Sequence, residues 1–190
     1  MNRSKKMVIL CHCILNANSK VEGFSIHKEV QNNLVNLLIK EKYGIIQLPC
    51  PEVTLYGIRR WGHVKEQFDT PYFREHCRNI FMPYLNQIID YVKNGYEIHA
   101  VIGIDGSPSC GVNKTCSSTK WGGEVGVEFA INEKVNDLKI IQGKGVFIEE
   151  IENLLNQNSL NIKFLGLDEE NLSSSNNIIE HLKKCNLWLK

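Results

Sequence analysis

The residues of this sequence best suited to chemistry are cysteines in three short segments that lie far apart in the chain. The first segment is Cys11-His12-Cys13, the second is Cys50-Pro51-Glu52, and the third is Ser107-Pro108-Ser109-Cys110-Gly111. Each segment follows a short apolar run that predicts a buried strand. Prolines and a glycine beside the second and third cysteines fix the local backbone, as a loop that holds a ligand requires. The pattern predicts three thiols at three strand ends.

These thiols meet in space if the preceding strands are neighbours in a parallel sheet. The carboxyl ends of parallel strands share one edge, with about 4.8 Å between strands, and α/β sheets bind ligands there. A single free cysteine is more often a buried core residue, and Cys77, within a helical stretch, fits that interpretation. Three cysteines at matching positions favour a shared site, while a core role for them is the alternative.

An all-cysteine donor set favours a soft metal or an iron–sulfur cluster. Structural zinc sites need four ligands, commonly in pairs such as Cys-x-x-Cys, and this sequence contains no such pair. Three thiolates without an evident fourth suit a [4Fe-4S] cluster with one iron open to an outside ligand, and an open position is typical of catalytic metals. Cys11 is an alternative to Cys13, because residues i and i+2 share a face on a strand.

The apolar pattern predicts strands that alternate with helices. Short apolar runs predict strands at 7–10, 45–48, 99–104 and 163–167. Apolar stripes and caps predict helices at 26–43 closed by Gly44, at 71–94 with a kink at Pro83, at 146–156, and at 175–185 capped by Ser173 or Ser174. Residues 105–127, rich in small and polar types, predict a long functional loop. This alternation predicts one domain over 1–190, a small Rossmann- or flavodoxin-like three-layer α/β sandwich with a mostly parallel sheet.

Composition narrows the class of protein. The chain has 190 residues, 22 basic against 21 acidic, for a net charge of +1, which argues against binding to a nucleic acid polymer. The seven cysteines come without a signal-peptide pattern, and no apolar stretch approaches the about 18 residues of a membrane span. We therefore expect a reduced cytoplasmic protein, a monomer or homodimer that binds a small molecule and no membrane.

The three segments resemble the signature motifs of the thiouracil desulfidase (DUF523) family. That family carries Cys-Leu-Leu-Gly, Cys-Pro-Glu and Ser-Pro-Ser-Cys-Gly in the same order, matched here by residues 13–16, 50–52 and 107–111. The resemblance covers roughly residues 7 to 150. It implies a [4Fe-4S] cluster with one open iron, held by Cys13, Cys50 and Cys110, since register with the family favours Cys13 over Cys11. It also implies that Glu52 and either Ser107 or Ser109 are catalytic.

The resemblance implies a reaction as well. The family chemistry is a non-redox, hydrolytic conversion of C=S to C=O on a thiouracil-like compound, with sulfide leaving on the open iron. In this scheme Glu52 deprotonates the attacking water. Ser107 or Ser109 donates a hydrogen bond or relays a proton, with a purely loop-capping role as the alternative.

Two segments depart from the family pattern. The family has an Arg-Tyr-Asp-Gly segment after its first cysteine, where this chain has residues 20–23, Lys-Val-Glu-Gly. It also has a Gly-Gly-Leu run after Cys-Pro-Glu, where this chain has residues 53–61. These segments would line the substrate pocket, so the resemblance does not identify the thio-substrate. We expect a divergent, single-domain branch of the family.

Two other functions compete with desulfidation. One is a non-catalytic iron–sulfur or persulfide carrier that delivers sulfur or electrons to a partner, which needs the cysteines but not Glu52. The other is a metal-free enzyme with Cys110 as nucleophile and His12 or His63 as base. Further residues are candidates to line a site or accept sulfur, and these are Tyr56, Arg59, Arg60, Trp61, His63, Asp105 and Cys116.

Overall fold

The computed structural model describes residues 3–24, 29–124 and 131–187. In chain order its strands are β1 (Lys6–Leu10), β2 (Gly44–Gln47), β3 (Glu97–Ile104), β4 (Lys114–Ser117), β5 (Lys139–Gln142) and β6 (Phe164–Leu167). Its helices are α1 (His12–Leu15), α2 (Glu29–Lys40), α3 (Pro51–Tyr56), α4 (Lys65–Phe68), α5 (Pro71–Lys93), α6 (Ile131–Asn136), α7 (Val146–Gln157) and α8 (Leu172–Leu187), with a 3₁₀ turn at Ala17–Ser19.

The central sheet has the strand order β2-β1-β3-β6, and every pairing in it is parallel. Leu10 lies opposite Gln47 on one side and Ile102 on the other. β1 and β3 are almost wholly buried, which explains why they read as continuous apolar runs in the sequence. The α/β class and the parallel sheet are confirmed.

Helices cover both faces of this sheet. α5 packs against α7, and α2 packs against α8. This division follows from right-handed crossovers: the chain moves one way from β1 to β2 and the opposite way from β2 to β3 and β6. The result is the predicted three-layer, Rossmann- or flavodoxin-like sandwich. Large side chains that are fully buried fill the core, among them Ile9, Leu34, Phe73, Phe81, Ile102 and Phe147.

The predicted loop at 105–127 is wrong in part. Residues 114–117 form β4, which pairs antiparallel with β5, so that Thr115 lies opposite Ile141. The sequence of β4, Lys-Thr-Cys-Ser, lacks the apolar alternation that predicts a strand, and its partner lies outside the local sequence. Residues 125–127 of the predicted loop lie outside the described residues.

Two predicted helix ends are corrected. Gly44 begins β2 rather than capping α2; instead Lys42 takes a φ of 58°, and Tyr43 N donates to Leu38 O at 2.9 Å, which closes the helix as a Schellman motif. The cap of α8 is Asn171, whose Oδ1 accepts from Ser173 N at 3.0 Å. The predicted start of the first helix at residue 26 lies outside the described residues.

The other long helices are confirmed. Thr70 caps α5, because its hydroxyl accepts a hydrogen bond from Phe73 N, and the helix continues through Pro83 to Lys93. Among the described helices, none is both long enough and apolar enough to cross a membrane.

Candidate active site at the carboxyl edge of the sheet

The topology creates a crevice at the carboxyl end of β1. From β1 the chain goes to β2 on one side, while β3 lies on the other side, so the strand order reverses between β1 and β3. Ligands of open α/β sheets bind at such a reversal point. The cysteine segments at 11–13, 50–52 and 107–111 follow β1, β2 and β3, and the predicted common edge is confirmed.

The structure places the three predicted thiols within electrostatic range of one another. Cys13 lies in α1, Cys50 immediately precedes α3, and Cys110 lies in the loop after β3. Burial raises the pKa of Cys13 well above its ordinary value, and the neighbouring Cys110 and Cys50 raise it further. Burial also raises the pKa of Cys50 to about 11, again with a contribution from Cys110. The thiols therefore interact electrostatically inside a poorly solvated site.

Cys11 is a fourth thiol at this place. It is fully buried, and its interaction with Cys110, together with burial, raises the pKa of Cys110. The premise that Cys11 and Cys13 share a strand face is wrong, because β1 ends at Leu10 and Cys13 already belongs to α1. Cys13 is half-buried, whereas Cys11 packs within the core.

The donor set consists of three thiols, and the group that the motifs imply is a [4Fe-4S] cluster. In the described ranges, no three cysteine, histidine or acidic side chains converge closely enough to share a single metal ion. A [4Fe-4S] cluster is bound through separate irons, so its thiolates stand further apart than the ligands of one ion. Three poorly solvated thiols are nevertheless a soft donor set, the kind that an iron–sulfur cluster takes. The residues present fit such a cluster in their donor chemistry.

Glu52 lies beside these thiols in a network of buried polar groups. It occupies the first turn of α3, a favourable place for a carboxylate at a helix N-terminus. Ser109 Oγ donates to Glu52 Oε1 at 2.6 Å, and Arg60 Nε donates to Glu52 Oε2 at 2.9 Å. Arg60 Nη2 donates to Ser19 O at 2.8 Å. Both carboxylate oxygens are thus held in place by charge-assisted or hydroxyl hydrogen bonds.

The two serines of the third segment have different surroundings. Ser107 Oγ accepts from Cys110 N at 3.0 Å, so it caps the turn of its own loop. Ser109 Oγ points to Glu52 and lies 3.5 Å from Cys110 Sγ. Ser109 is 1% exposed. Its hydroxyl therefore connects the carboxylate to the thiol site, and Ser107 Oγ, 3.3 Å from Ser109 Oγ, contacts this pair through Ser109.

The loop at 107–111 is held rigidly against α7. Val146 N donates to Pro108 O at 3.0 Å, and Phe147 N donates to Ser109 O at 2.9 Å. Gly145 permits this approach, because a Cβ at that position would lie 2.4 Å from the carbonyl carbon of Ser109. The free N–H groups at the start of α7 thus fix the backbone of the site.

The other candidate residues from the sequence either hold local structure or lie outside the thiol site. His12 Nδ1 lies 3.0 Å from Leu48 O, and Asp105 Oδ1 accepts from Asn113 N at 2.8 Å, so each fixes a loop. Arg59 is exposed. Cys116 lies in β4 rather than in a loop, and burial together with the neighbouring Glu66 raises its pKa.

The thiol-nucleophile alternative finds no support in this geometry. Within the described parts of the chain, neither His12 nor His63 hydrogen-bonds Cys110. Cys110 also has a raised pKa, whereas nucleophilic cysteines have a lowered one.

Sequence reasoning missed one polar cluster beside Cys13. Lys20 and Gln31 both donate to Glu169, and Gln31 also donates to the backbone oxygen of Cys13 at 3.4 Å. Lys20 lowers the pKa of Cys13, against the larger effect of burial. Glu169 follows β6, the fourth strand of the sheet, and only the strand order places it near the first.

The match to a family model agrees with the motifs. The family described as "Putative 2-thiouracil desulfurase" matches residues 5–154. An uncharacterized protein of Methanocaldococcus jannaschii is 40% identical over 112 residues, which are 59% of this chain and 71% of that protein. Among solved structures, the [4Fe-4S]-dependent thiouracil desulfidase TudS is a distant likeness, with a TM-score of 0.43 and 20% identity over 84% of this chain and 90% of that chain.

Proposed function

The chain belongs to the 2-thiouracil desulfurase family, as its motifs predicted, and from this premise we propose that it is an enzyme that hydrolyses a thiocarbonyl compound of the thiouracil type. Water replaces sulfur at the thiocarbonyl carbon, so C=S and H₂O give C=O and H₂S without a change in oxidation state. The observation that carries the proposal is the convergence of Cys13, Cys50 and Cys110 beside the Glu52–Ser109 pair.

Cys13, Cys50 and Cys110 would hold the cofactor, a [4Fe-4S] cluster. When bound, such a cluster with three protein ligands supplies an open iron, a soft Lewis acid that polarises a C=S bond. The donor set supports this assignment because all three are thiols with low solvation. Cys13 is preferred to Cys11 as the first ligand because it is the half-buried one of the two.

Glu52 is the proposed general base. Its carboxylate accepts a proton from water, and the oxygen of that water then bonds to the thiocarbonyl carbon. Arg60 is a positioning residue here, because its bond to Oε2 fixes the carboxylate while leaving lone pairs on both oxygens for water.

Ser109 is the proposed catalytic hydroxyl. It donates to Glu52 Oε1 and can pass the proton that Glu52 receives to the ring nitrogen or to the departing sulfur. Ser107, which caps the loop and lies 3.3 Å from Ser109 Oγ, would then position that hydroxyl.

One experiment tests the function. The full chain is reconstituted anaerobically with iron and sulfide, and release of sulfide and formation of uracil from 2-thiouracil are measured with no other protein present. We expect about four irons and four sulfides per chain, and turnover that Cys50→Ala abolishes. The matched control is Cys116→Ala, since that thiol lies in β4 and should leave iron content unchanged. Failure of the wild type to take up iron would overturn the proposal, and iron uptake without sulfide release would favour the carrier function.

A further inference from the structure

A cavity opens next to the segment that follows Glu52. Its volume is about 230 Å³, and two indoles and an imidazole contribute to its walls, namely Trp61, Trp121 and His63. Trp121 Nε1 donates to Gly62 O at 2.9 Å, which ties one wall to the other. The remaining lining includes Gln67 and Lys134. Planar aromatic walls with a few polar groups are typical of sites for small heterocyclic ligands.

The imidazole of His63 is held in a fixed orientation. It stacks on Tyr56 at a centroid distance of 4.9 Å and on Phe68 at 4.8 Å, and Phe68 in turn stacks on Phe73. His63 Nδ1 is buried, and it has no hydrogen-bond partner among the residues that the structure describes. A buried polar atom without a partner costs free energy, so a ligand that bonded to it would remove that cost.

The electrostatics of His63 suit a neutral ligand. Burial lowers its pKa, against smaller opposing effects of Glu52 and of the Trp61 backbone, which favours the neutral ring. A neutral imidazole nitrogen can donate or accept, according to the tautomer. The influence of Glu52 also shows that this wall of the cavity lies within electrostatic range of the proposed base.

A second atom of the same segment lacks a partner. The side chain of Arg60 is 3% exposed, and within the described residues its Nη1 makes no hydrogen bond, although Nε and Nη2 do. Arg60 is not among the residues that line the cavity, so this donor belongs to the site beside Glu52. The polar group that the cavity itself offers from this segment is His63 Nδ1, which donates or accepts according to the tautomer.

Resting on the proposed function, we propose that the cavity walled by Trp61, His63 and Trp121 binds the planar ring of the substrate, a thiolated pyrimidine or a similar heterocycle. The indoles contact the faces of the ring, and His63 Nδ1 hydrogen-bonds its polar edge. Trp61 is the last residue of the stretch 53–61, in which the sequence departs from the family pattern, and His63 follows two residues later.

Two variants test the site in the cluster-loaded full chain. His63→Phe keeps a stacked ring but removes Nδ1, and Trp61→Ala removes a side chain that is 75% exposed, so both should fold. We expect each to raise KM for 2-thiouracil about tenfold with kcat nearly unchanged, the pattern for lost ground-state binding. Each should also weaken binding of uracil, the unreactive product, measured by calorimetry. The matched control is Tyr72→Ala, an exposed aromatic on α5 outside the cavity, which should match the wild type.

The outcomes separate this inference from the function itself. Wild-type KM and uracil affinity in both variants of an active enzyme would overturn the cavity assignment and leave desulfidation standing. Undetectable binding of uracil and 2-thiouracil by the wild type would also overturn it. Weakened uracil binding in the variants of a protein that releases no sulfide would support the cavity as a heterocycle site and refute the reaction.

Discussion

Ser109 Oγ lies 2.6 Å from Glu52 Oε1, although 57 positions separate the two residues in the chain. The contact exists because β2 and β3 lie on either side of β1, so the turn that begins α3 and the loop after β3 face one another across a single strand. Ser109 also approaches Cys110 Sγ at 3.5 Å. One hydroxyl therefore joins the carboxylate to the thiol site.

This relationship distinguishes the two serines by experiment. Ser109→Ala should lower kcat by about 100- to 10,000-fold with iron content unchanged, because the hydroxyl bonded to Glu52 is lost. Ser107→Ala should leave kcat within a few-fold and cost about 1 kcal/mol of stability, because the loop loses its cap on Cys110 N. Steady-state kinetics and urea unfolding check the pair. The reverse ranking of the two kcat values would assign the catalytic hydroxyl to Ser107.

Glu52 can be tested with little change of shape. Glu52→Gln keeps an oxygen for Ser109 but removes the negative charge and the capacity to accept a proton from water. We expect kcat to fall by about 100-fold or more while the iron and sulfide content stays that of the wild type. Sulfide release at the wild-type rate by an iron-replete Glu52→Gln protein would remove Glu52 from the role of base.

The Arg60–Glu52 ion pair makes a separate prediction about stability. Their side chains are 3% and 10% exposed, and breaking a buried pair from one side leaves the other charge uncompensated. Arg60→Met should therefore cost about 3–5 kcal/mol in urea unfolding, and addition of Glu52→Gln should recover part of that cost. The neighbouring Arg59→Met is the control: its side chain is exposed, and we expect a change within about 0.5 kcal/mol. A loss below 1 kcal/mol for Arg60→Met would show that the pair is solvated in solution.

The strands and the shared edge could be predicted because their signals are local and strong. Continuous apolar runs marked β1, β2 and β3, and parallel pairing then required their carboxyl ends to meet. β4 could not be predicted in the same way, because its polar residues become a strand only through pairing with β5. The N-cap of α8 was predicted wrongly for a similar reason. Asn171, Ser173 and Ser174 are all good N-cap residues, and only their spatial arrangement selects Asn171.

The candidate site could be predicted in part for the same reason, because only its local signals are visible in the sequence. Three cysteines at strand ends indicated convergence, but nothing local related Arg60 to Glu52 or placed Glu169 beside Cys13. The first contact depends on the path of the segment after α3, where Gly57 takes a φ of 80°. The second depends on the position of β6 in the sheet. Both relationships arise from tertiary structure and leave no periodic signal in the sequence.

The choice between Cys11 and Cys13 has a direct test. Cys13→Ala should lose most of its iron after anaerobic reconstitution, because it removes one of three proposed ligands. Cys11→Ala should keep its iron but lose about 1–2 kcal/mol of stability, because Cys11 is fully buried in the core. Iron and sulfide analysis with urea unfolding checks both. Iron loss in Cys11→Ala with retention in Cys13→Ala would reverse the assignment.

The wall of the cavity that carries Trp121 should loosen in acid. Asp137 Oδ2 accepts from Ser118 Oγ at 2.8 Å and from Thr119 N at 2.8 Å, and Ser118 Oγ in turn accepts from Trp121 N at 3.0 Å. These bonds, first of all the one from Ser118, lower the pKa of Asp137 from 3.8 to about 2. Because the pKa is lower in the folded state, the carboxylate stabilises the fold fully above about pH 4, and this contribution disappears as the pH falls through about 2.

The measurement is hydrogen exchange at the amides of Thr119 and Lys120, both of which donate to Asp137 Oδ2. Corrected for the intrinsic pH dependence of exchange, their protection should be constant above about pH 4 and decline towards pH 2. Asp137→Asn should remove this decline, because its side chain has no charge to lose. The control is the amide of Ile102 in the sheet, a fully buried residue, which should keep its protection until global unfolding. Equal protection of Thr119 at pH 5 and pH 2, or an unaltered decline in Asp137→Asn, would show that Asp137 does not fix the Trp121 wall.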